Sequence, residues 1–115
     1  SSAASDVYKR QILEIEVEGA MKVRAARPDA VFVFILPPSM TELENRLRGR
    51  GTEAEEVVQK RVAQAKREIG FAEKYDYVVI NDDLSAAIAD VNAILCAESH
   101  KTKKNLEEIK EVLGK

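Results

Sequence analysis

Apolar residues along this 115-residue chain follow two different periods, and each period predicts a different kind of element. Short runs of β-branched or aromatic residues, bounded by Gly, Pro, Asn or Asp, are typical of strands. Such runs lie at residues 12–17 (ILEIEV), 31–36 (VFVFIL) and 77–81 (YVVIN). The second and third runs are almost unbroken, which is the pattern of parallel strands covered on both faces.

Between these runs, apolar residues recur three and four positions apart, which predicts helices. The longest stripe covers about five turns and consists of Ala54, Val58, Val62, Ala65, Ile69 and Ala72. Shorter helical patterns lie at residues 19–27, 40–47 and 84–95, with a tail at 106–113. Since strands that alternate with helices usually pair in parallel, the chain is predicted to adopt an α/β fold in which helices cover parallel strands.

Two of the predicted helices begin with a capping box, formed by Ser39 with Glu42 and by Thr52 with Glu55. In each box the hydroxyl can accept a hydrogen bond from the amide three residues later, and the glutamate can reach back to the amide of the cap residue. The glycines of the intervening sequence RGRG lie between the two helices. A hinge is expected at that position.

The first apolar run differs from the others because glutamates alternate with its apolar residues. Glu14, Glu16 and Glu18 would share one face of a strand. Plain burial of unpaired carboxylates would cost several kcal/mol for each group, so a buried face is excluded. Two alternatives stay open: a solvated edge strand, or a cleft at the carboxyl end of a strand, where open α/β sheets bind ligands.

Composition and charge exclude several classes of protein. With 45% hydrophobic and 33% charged residues, the chain fits one ordinary globular domain. A formal net charge of −2 disfavours nucleic-acid binding, which usually needs a basic excess. No apolar run approaches the roughly 18 residues of a membrane span, so no membrane association is expected. The single cysteine, Cys96, cannot form an internal disulfide, and a reduced cytoplasmic setting is expected.

Three arginines lie before, within and after the RGRG sequence. Arg46 and Arg50 are four residues apart and would share a helix face, while Arg61 lies in the next helix. A planar guanidinium that is always charged suits phosphate binding. From the pattern alone a solvated charged face is favoured, because Glu42 and Arg46 form a favourable i, i+4 pair. Arg48 lies off the shared face and is predicted to be solvated.

Four segments together resemble guanylate kinases, the nucleoside monophosphate kinases that transfer a phosphoryl group from ATP to GMP. The segments are LEIEVEGA, FILPPS, RLRGRGTE and YDYVVINDDL, within a match from about residue 12 to the helix around residue 95. The resemblance implies a partial P-loop NTPase-type, three-layer fold. Residues 12–99 would form the core fragment, with a lid at about 40–74. Residues 1–11 are expected to be a non-native or disordered leader, and 100–115 a helical tail.

The resemblance also implies roles for the arginines and for one asparagine. Arg46, Arg50 and Arg61 match the lid and phosphate-contacting positions of the family and are expected to be catalytic. ATP is expected to contact Arg46, Arg50 and Asn81, the last near adenine. From the residues alone, a turn or cap role for Asn81 before the sequence DDL explains it equally well.

Two of the glutamates receive roles from the same resemblance. Glu16 matches the position that contacts the guanine of GMP, and a carboxylate offers two acceptors for guanine's adjacent N–H donors. Glu14 matches a position that helps to hold the Mg²⁺ bound with ATP, through water, since Mg²⁺ takes few direct carboxylates. Glu18 stands where the family more often has glutamine, which leaves its role open.

One expected motif does not occur in these 115 residues. The sequence G-x-x-x-x-G-K-[ST], whose backbone cradles the donor phosphates, is absent. The resemblance also implies a lost strand between the strands that begin at Ile12 and Val31, so both would have an unpaired edge. Direct pairing of these strands, self-association with another chain, or partial unfolding would follow.

The resemblance therefore predicts the C-terminal portion of a guanylate kinase, cut short at its N-terminus and inactive alone. A guanylate-kinase-like module that binds proteins and has no activity is the alternative. Such modules tend to lose the lid arginines, and so the retention of Arg46, Arg50 and Arg61 favours an enzyme. Another P-loop kinase with a different acceptor is a third interpretation.

Overall fold

The computed structural model describes residues 6–7, 10–49, 51 and 54–115. Its elements in chain order are β1 (Asp6–Val7), β2 (Arg10–Gln11), α1 (Val17–Ala26), β3 (Val33–Leu36), α2 (Met40–Gly49), α3 (Glu55–Ile69), β4 (Tyr77–Ile80), α4 (Leu84–Ser99) and α5 (Leu106–Val112). Short 3-10 turns at Ala72–Lys74 and Thr102–Lys104 precede β4 and α5. Five of the predicted helical patterns are thus helices, and the predicted α/β class is confirmed.

The last two strands form a parallel pair. Val33 lies opposite Tyr77, and Leu36 lies opposite Ile80. The amide of Asn81 extends the pairing by donating to the carbonyl of Leu36 at 2.7 Å. Since β4 follows β3 through two helices, the connection is the long crossover that parallel strands require. The strands β1 and β2 form a separate short antiparallel pair.

The predicted strand at residues 12–17 is wrong. Helix α1 already begins at Val17, and Glu16 is its N-cap, with an extended backbone (φ −73°, ψ 168°). Within the described part of the chain, no strand pairs with residues 12–16, and they do not close on β3. A strand is held by hydrogen bonds to a neighbouring strand. The alternation of apolar and acidic residues predicts which face of an extended segment each side chain occupies. It does not show whether another strand lies beside that segment.

Buried apolar side chains of α1, the parallel pair with the residue before it, and α4 form the core of this region. Its most buried side chains are Val17, Ala20, Phe32, Val79 and Ala87. Tyr75 packs edge-on against the rings of Phe32 and Phe34, with centroid distances of 6.1 and 5.0 Å. Arg24 on α1 lies over the ring of Phe32, 4.4 Å from its centroid, so α1 contacts the segment that leads into β3.

A buried carboxylate joins α4 to β4. Glu98 is 5% exposed, and its carboxylate accepts a hydrogen bond from the hydroxyl of Tyr77. Lys101 Nζ lies 3.1 Å and Lys104 Nζ 3.8 Å from the same carboxylate. The hydrogen bond lowers the pKa of Glu98 and raises that of Tyr77, and the lysines also favour the charged form of Glu98. The buried charge is thus compensated on several sides.

The two predicted capping boxes differ in outcome. At the start of α2, the amide of Glu42 donates to Ser39 Oγ at 3.0 Å, as predicted. The carboxylate of Glu42 pairs with Arg46 rather than reaching back to the cap. The second box is wrong, because α3 begins at Glu55 with Ala54 as its N-cap. Its proposed cap residue, Thr52, lies outside the described residues.

Helices α2 and α3 pack against each other and are called the α2–α3 hairpin below, comprising residues 40–69. Val58 and Val62 on α3 are 2% and 4% exposed, whereas α2 has no fully buried residue. The chain as a whole is elongated, with a radius of gyration of 17.9 Å. A compact chain of this length would have about 13 Å. The hairpin is therefore held mainly by its own two helices.

Candidate functional site

Arg46 connects the hairpin to the carboxyl end of the parallel pair. Its Nη1 donates to the carbonyl of Asn81 at 3.0 Å, and its Nη2 to the carbonyl of Asp82 at 3.5 Å. Its Nε lies 3.4 Å from Glu42 Oε1, the i, i+4 partner expected from the sequence. Two of the predicted ATP-binding residues, Arg46 and Asn81, are thus in contact. They meet at the carboxyl end of the parallel strands, which is where open α/β sheets bind ligands.

These contacts go beyond the solvated helix face that the pattern favoured for Arg46, although its role toward phosphate stays a prediction. A solvated helix face needs the Glu42 pair alone. Here the guanidinium also reaches across to backbone carbonyls that lie 35 and 36 residues away in sequence. A guanidinium has five donors in a rigid fork, and its charge is permanent. An anion that binds at the carboxyl end of the strands would therefore contact a guanidinium that is already oriented.

Asn81 is not the cap of α4. Asp83 has that role, because its carboxylate accepts a hydrogen bond from the amide of Ala86 at 3.1 Å. Asn81 instead uses its amide to extend the pairing of β3 with β4 and its carbonyl to hold Arg46. In the described part of the chain, its half-buried side-chain amide makes no hydrogen bond. That amide is therefore available to a ligand.

Glu14 and Glu16 line an open depression of about 410 Å³ together with Ile15 and Gly19. Glu16 begins α1, since its carbonyl accepts from the amide of Ala20 at 2.8 Å, but its side chain makes no cap bond. Both carboxylates are exposed and have no ionic partner among the described residues. The segment is not a strand, yet its acidic side chains still face one solvent-filled surface. A polar ligand could therefore reach both of them.

The acidic depression fits Mg²⁺ only in a limited way. Across residues 6–7, 10–49, 51 and 54–115, no group of three or more His, Cys, Asp or Glu side chains could hold a metal ion. Magnesium keeps several waters and is commonly held by one or two carboxylates plus substrate phosphates. Glu14 offers one such carboxylate. The residues present therefore suit an ion that arrives with a polyphosphate, and not an ion held by the protein alone.

The structure describes one of the two other predicted arginines. Arg50 lies outside the described residues, so its shared face with Arg46 stays a prediction. Arg61 is an exposed residue in the middle of α3. Convergence of the three arginines on one phosphate group stays a prediction as well. At Gly51 the backbone has φ +65°, the left-handed conformation that glycine allows between two helices.

Arg48 was predicted to be solvated, and it is exposed, but it also pairs with two carboxylates. Its Nη2 and Nε donate to the two carboxylate oxygens of Glu55 at 2.6 and 3.1 Å, and its Nη1 donates to Glu44 at 2.9 Å. Hydrogen bonds from Arg48 lower the pKa of Glu55 to about 2, and those to Glu55 and Glu44 raise the pKa of Arg48. The partner Glu55 lies across the interhelical turn. Helix-face arguments on α2 alone could not find it.

Comparison with known proteins supports the resemblance seen in the sequence. A family model described as guanylate kinase matches residues 3–98. The chain belongs to the guanylate kinase family. It is 50% identical over 103 residues to a guanylate kinase of Halalkalibacterium halodurans, a match that covers 90% of this chain and 50% of that protein. A guanylate kinase of Listeria innocua is 46% identical over 112 residues, covering 97% and 53%.

The structural comparison agrees with the family. A crystal structure of guanylate kinase from Anaplasma phagocytophilum matches with a TM-score of 0.65 and 34% identity, over 85% of this chain and 47% of that one. The likeness confirms the predicted P-loop NTPase-type fold. The chain spans about half the length of the curated guanylate kinases it matches. No helix in the part of the chain that the structure describes is long and apolar enough to cross a membrane.

Proposed function

We propose that this chain provides the lid and the second part of the nucleotide core of a guanylate kinase, an ATP:GMP phosphotransferase that forms GDP and ADP. The contact of Arg46 with the carbonyls of Asn81 and Asp82 is the observation that carries the proposal. It brings a lid arginine to the carboxyl edge of a parallel sheet. Family membership supplies the reaction that such an arrangement would serve.

Phosphoryl transfer asks the protein mainly for positioning and for neutralisation of the charge on the transferred group. In our proposal Arg46, Arg50 and Arg61 supply that charge. The side-chain amide of Asn81 contacts ATP near adenine, and its carbonyl orients Arg46. Magnesium bound with ATP would add positive charge at the donor phosphates. Each arginine thus acts on oxygens that become more negative during transfer.

The acceptor side of the proposal uses the acidic depression. Glu16 is proposed to accept from the adjacent N–H donors of guanine, because its two carboxylate oxygens are exposed at the start of α1. Glu14, two residues earlier on the same open surface, is proposed to hold Mg²⁺ through water. A substitution of Glu16 by Gln would then weaken GMP binding, whereas a substitution of Glu14 would change the dependence on Mg²⁺.

We further propose that these 115 residues are inactive alone. They contain no Gly-rich P-loop and no P-loop lysine, so the donor phosphates would lack their backbone cradle. Apolar side chains of the parallel pair are also uncovered: Ile35, Val78 and Ile80 are 49%, 46% and 55% exposed. Self-association of the chain at this sheet is therefore proposed, and sedimentation velocity between 5 and 200 μM, chosen as a roughly 40-fold range, would detect it.

The decisive experiment is a chimera in which residues 12–115 replace the matching half of the Halalkalibacterium halodurans guanylate kinase. A coupled assay would follow ADP formation with GMP, AMP, CMP and UMP as acceptors. GMP-dependent activity of the chimera, with none from the 115 residues alone, is expected. Activity of the 115 residues alone would overturn the claim that they are inactive. A folded but inactive chimera would favour a module without catalytic function, and activity with another acceptor would change the substrate.

A further inference from the structure

A cluster of three charged side chains bridges the two helices of the hairpin. We call it the α2–α3 clasp, and it consists of Glu44, Arg48 and Glu55. Arg48 makes a two-bond fork onto Glu55, with N to O distances of 2.6 and 3.1 Å, and a third bond to Glu44 at 2.9 Å. Gln59 Nε2 donates to Glu55 at 3.1 Å from one turn further along α3. The clasp therefore engages both helices at the turn that joins them.

Gly49 is the last residue of α2 and Gly51 lies between the two helices, and a side chain added at either would meet no atom within 4 Å. Val58, one turn after Glu55, is the buried apolar residue of α3 nearest to the clasp. Apolar contacts are non-directional and tolerate some rotation, whereas a bidentate arginine–carboxylate pair demands one relative orientation. The clasp therefore adds a directional contact to the apolar contacts of the hairpin.

The position of the clasp connects it to the proposed chemistry. Arg46 precedes Arg48 by two residues on α2, and Arg61 follows Glu55 by six residues on α3. A change in the helix angle at the turn would therefore change the separation of Arg46 and Arg61. Displacements of about 1 Å at catalytic groups can cost up to 10²-fold in rate. The separation of these arginines should then matter for transfer.

We infer that Arg48 is a positioning residue of the lid: through Glu55 it sets the angle between α2 and α3, and hence the spacing of Arg46 and Arg61 on the transferred phosphate. The inference rests on the proposed function. Arg48 contacts no substrate in this scheme. Lysine could not replace it, because a single ammonium cannot make the two parallel bonds that fix the orientation.

The geometric part is tested on the full 115-residue chain. Spin labels are attached at Asn45→Cys on α2 and Ala63→Cys on α3, both exposed, after Cys96→Ser removes the native thiol. Double electron–electron resonance then gives the distance distribution between the helices. Arg48→Gln and Glu55→Gln should each broaden it, and the double variant should broaden it no further. An unchanged distribution in Arg48→Gln would overturn the inference.

The matched control is Arg67→Gln, which removes the same charge from an exposed position of α3. It should leave the distribution unchanged. Equal broadening by Arg67→Gln and Arg48→Gln would mean that net charge, and not the clasp, governs the angle. That result would also overturn the inference. Far-UV circular dichroism of every variant shows whether the helices persist.

The catalytic part is tested in the chimera. Arg48→Gln should lower kcat about tenfold and leave the KM for GMP within twofold, because misplaced arginines affect the transition state more than acceptor binding. Arg48→Lys should recover little of the loss. An unchanged kcat together with a broadened distance distribution would make the clasp purely structural and overturn the positioning role. An inactive parent chimera would overturn the proposed function itself, and the distance distributions would still decide the geometric part.

Discussion

The β3–β4 pair with α4 differs from the α2–α3 hairpin in what holds it together. In the first region, Val79 and Phe32 are buried, and the buried carboxylate of Glu98 is paired with Tyr77 and with two lysines. In the described part of the hairpin, the buried apolar side chains are Val58 and Val62, and exposed ion pairs such as that of Arg48 with Glu55 join the two helices. Burial is worth far more than exposed charge pairs, which typically contribute at most about 1 kcal/mol. The hairpin should therefore open more readily than the sheet region.

Arg46 forms described hydrogen bonds between the two regions at the proposed site. It belongs to the hairpin, and its carbonyl acceptors, on Asn81 and Asp82, follow a strand of the sheet region. A phosphate that binds Arg46 would compete with these acceptors. The two regions thus have different parts in the proposed site. The sheet region forms the carboxyl end of the strands, where the ligand is proposed to bind. The hairpin contributes Arg46, whose hydrogen bonds to the carbonyls of Asn81 and Asp82 can be exchanged for bonds to a phosphate.

The largest effect is expected from loss of that cation. Arg46→Ala in the chimera should lower kcat about 10²-fold, because one preorganised donor to the developing charge is removed. Steady-state assays with ATP and GMP would measure it, and Arg67→Ala on α3 is the matched control. A kcat within twofold of the parent would show that Arg46 serves only to dock the hairpin on the sheet region.

A pair of valine truncations compares the two regions directly. Val79→Ala and Val58→Ala remove the same groups from sites that are each 2% exposed, and each should cost about 2 kcal/mol locally. Urea unfolding should show the full cost for Val79→Ala. For Val58→Ala, hydrogen exchange should accelerate in α2 and α3 while the global unfolding free energy changes less. Equal global losses would mean that the hairpin unfolds together with the sheet region.

The enclosed carboxylate offers a smaller test of the sheet region. Tyr77→Phe removes the hydroxyl that donates to Glu98 and should lower Tm by roughly 5 °C, because a buried charge loses a donor. Tyr75→Phe is the matched control, since the ring contacts of Tyr75 with Phe32 and Phe34 would persist. Differential scanning calorimetry measures both. Equal shifts in the two variants would show that the loss of any tyrosine hydroxyl has this effect, and that the bond from Tyr77 to Glu98 adds nothing to it.

The smallest effect is a response of the clasp to acid. The pKa of Glu55 is lowered by its bonds from Arg48, from an ordinary 4.5 to about 2. A lowered pKa means that the contribution of Glu55 is fully present above 4.5 and is lost as the pH falls through about 2. The interhelical distance distribution should therefore stay narrow at pH 4 and broaden toward pH 2. Broadening above pH 4, or in Glu55→Gln over the same range, would contradict this assignment.

The success of the sequence-based predictions depends on whether an element is specified locally. The long apolar stripe of α3 and the cap at Ser39 depend on residues three and four positions apart, and both were confirmed. The strand at 12–17 failed because a strand needs a neighbour that no local pattern can supply. The second capping box failed for a related reason: Glu55 pairs across the turn with Arg48 instead of capping its own helix.

For the candidate site as well, the sequence indicated the residue types, whereas the contacts between residues came from the tertiary structure. The residue types of Arg46, Asn81, Glu14 and Glu16 pointed to phosphate, nucleotide and cation chemistry through the family resemblance. The family itself is confirmed. The individual roles remain predictions for the assays above. Arg48, to which the sequence assigned no role in the site, has two charged partners in the structure, Glu44 and Glu55.

Short-range periodicity and residue identity were enough to predict the family, the helices and the kinds of side chain available for phosphate. The packing of the elements determines which strands pair, and it brings Arg46 to the carbonyls of Asn81 and Asp82. It also forms the clasp between Arg48 and Glu55. Each of these contacts joins residues that are distant in sequence or lie across a turn. Their geometry follows from how the elements pack, which no local pattern contains.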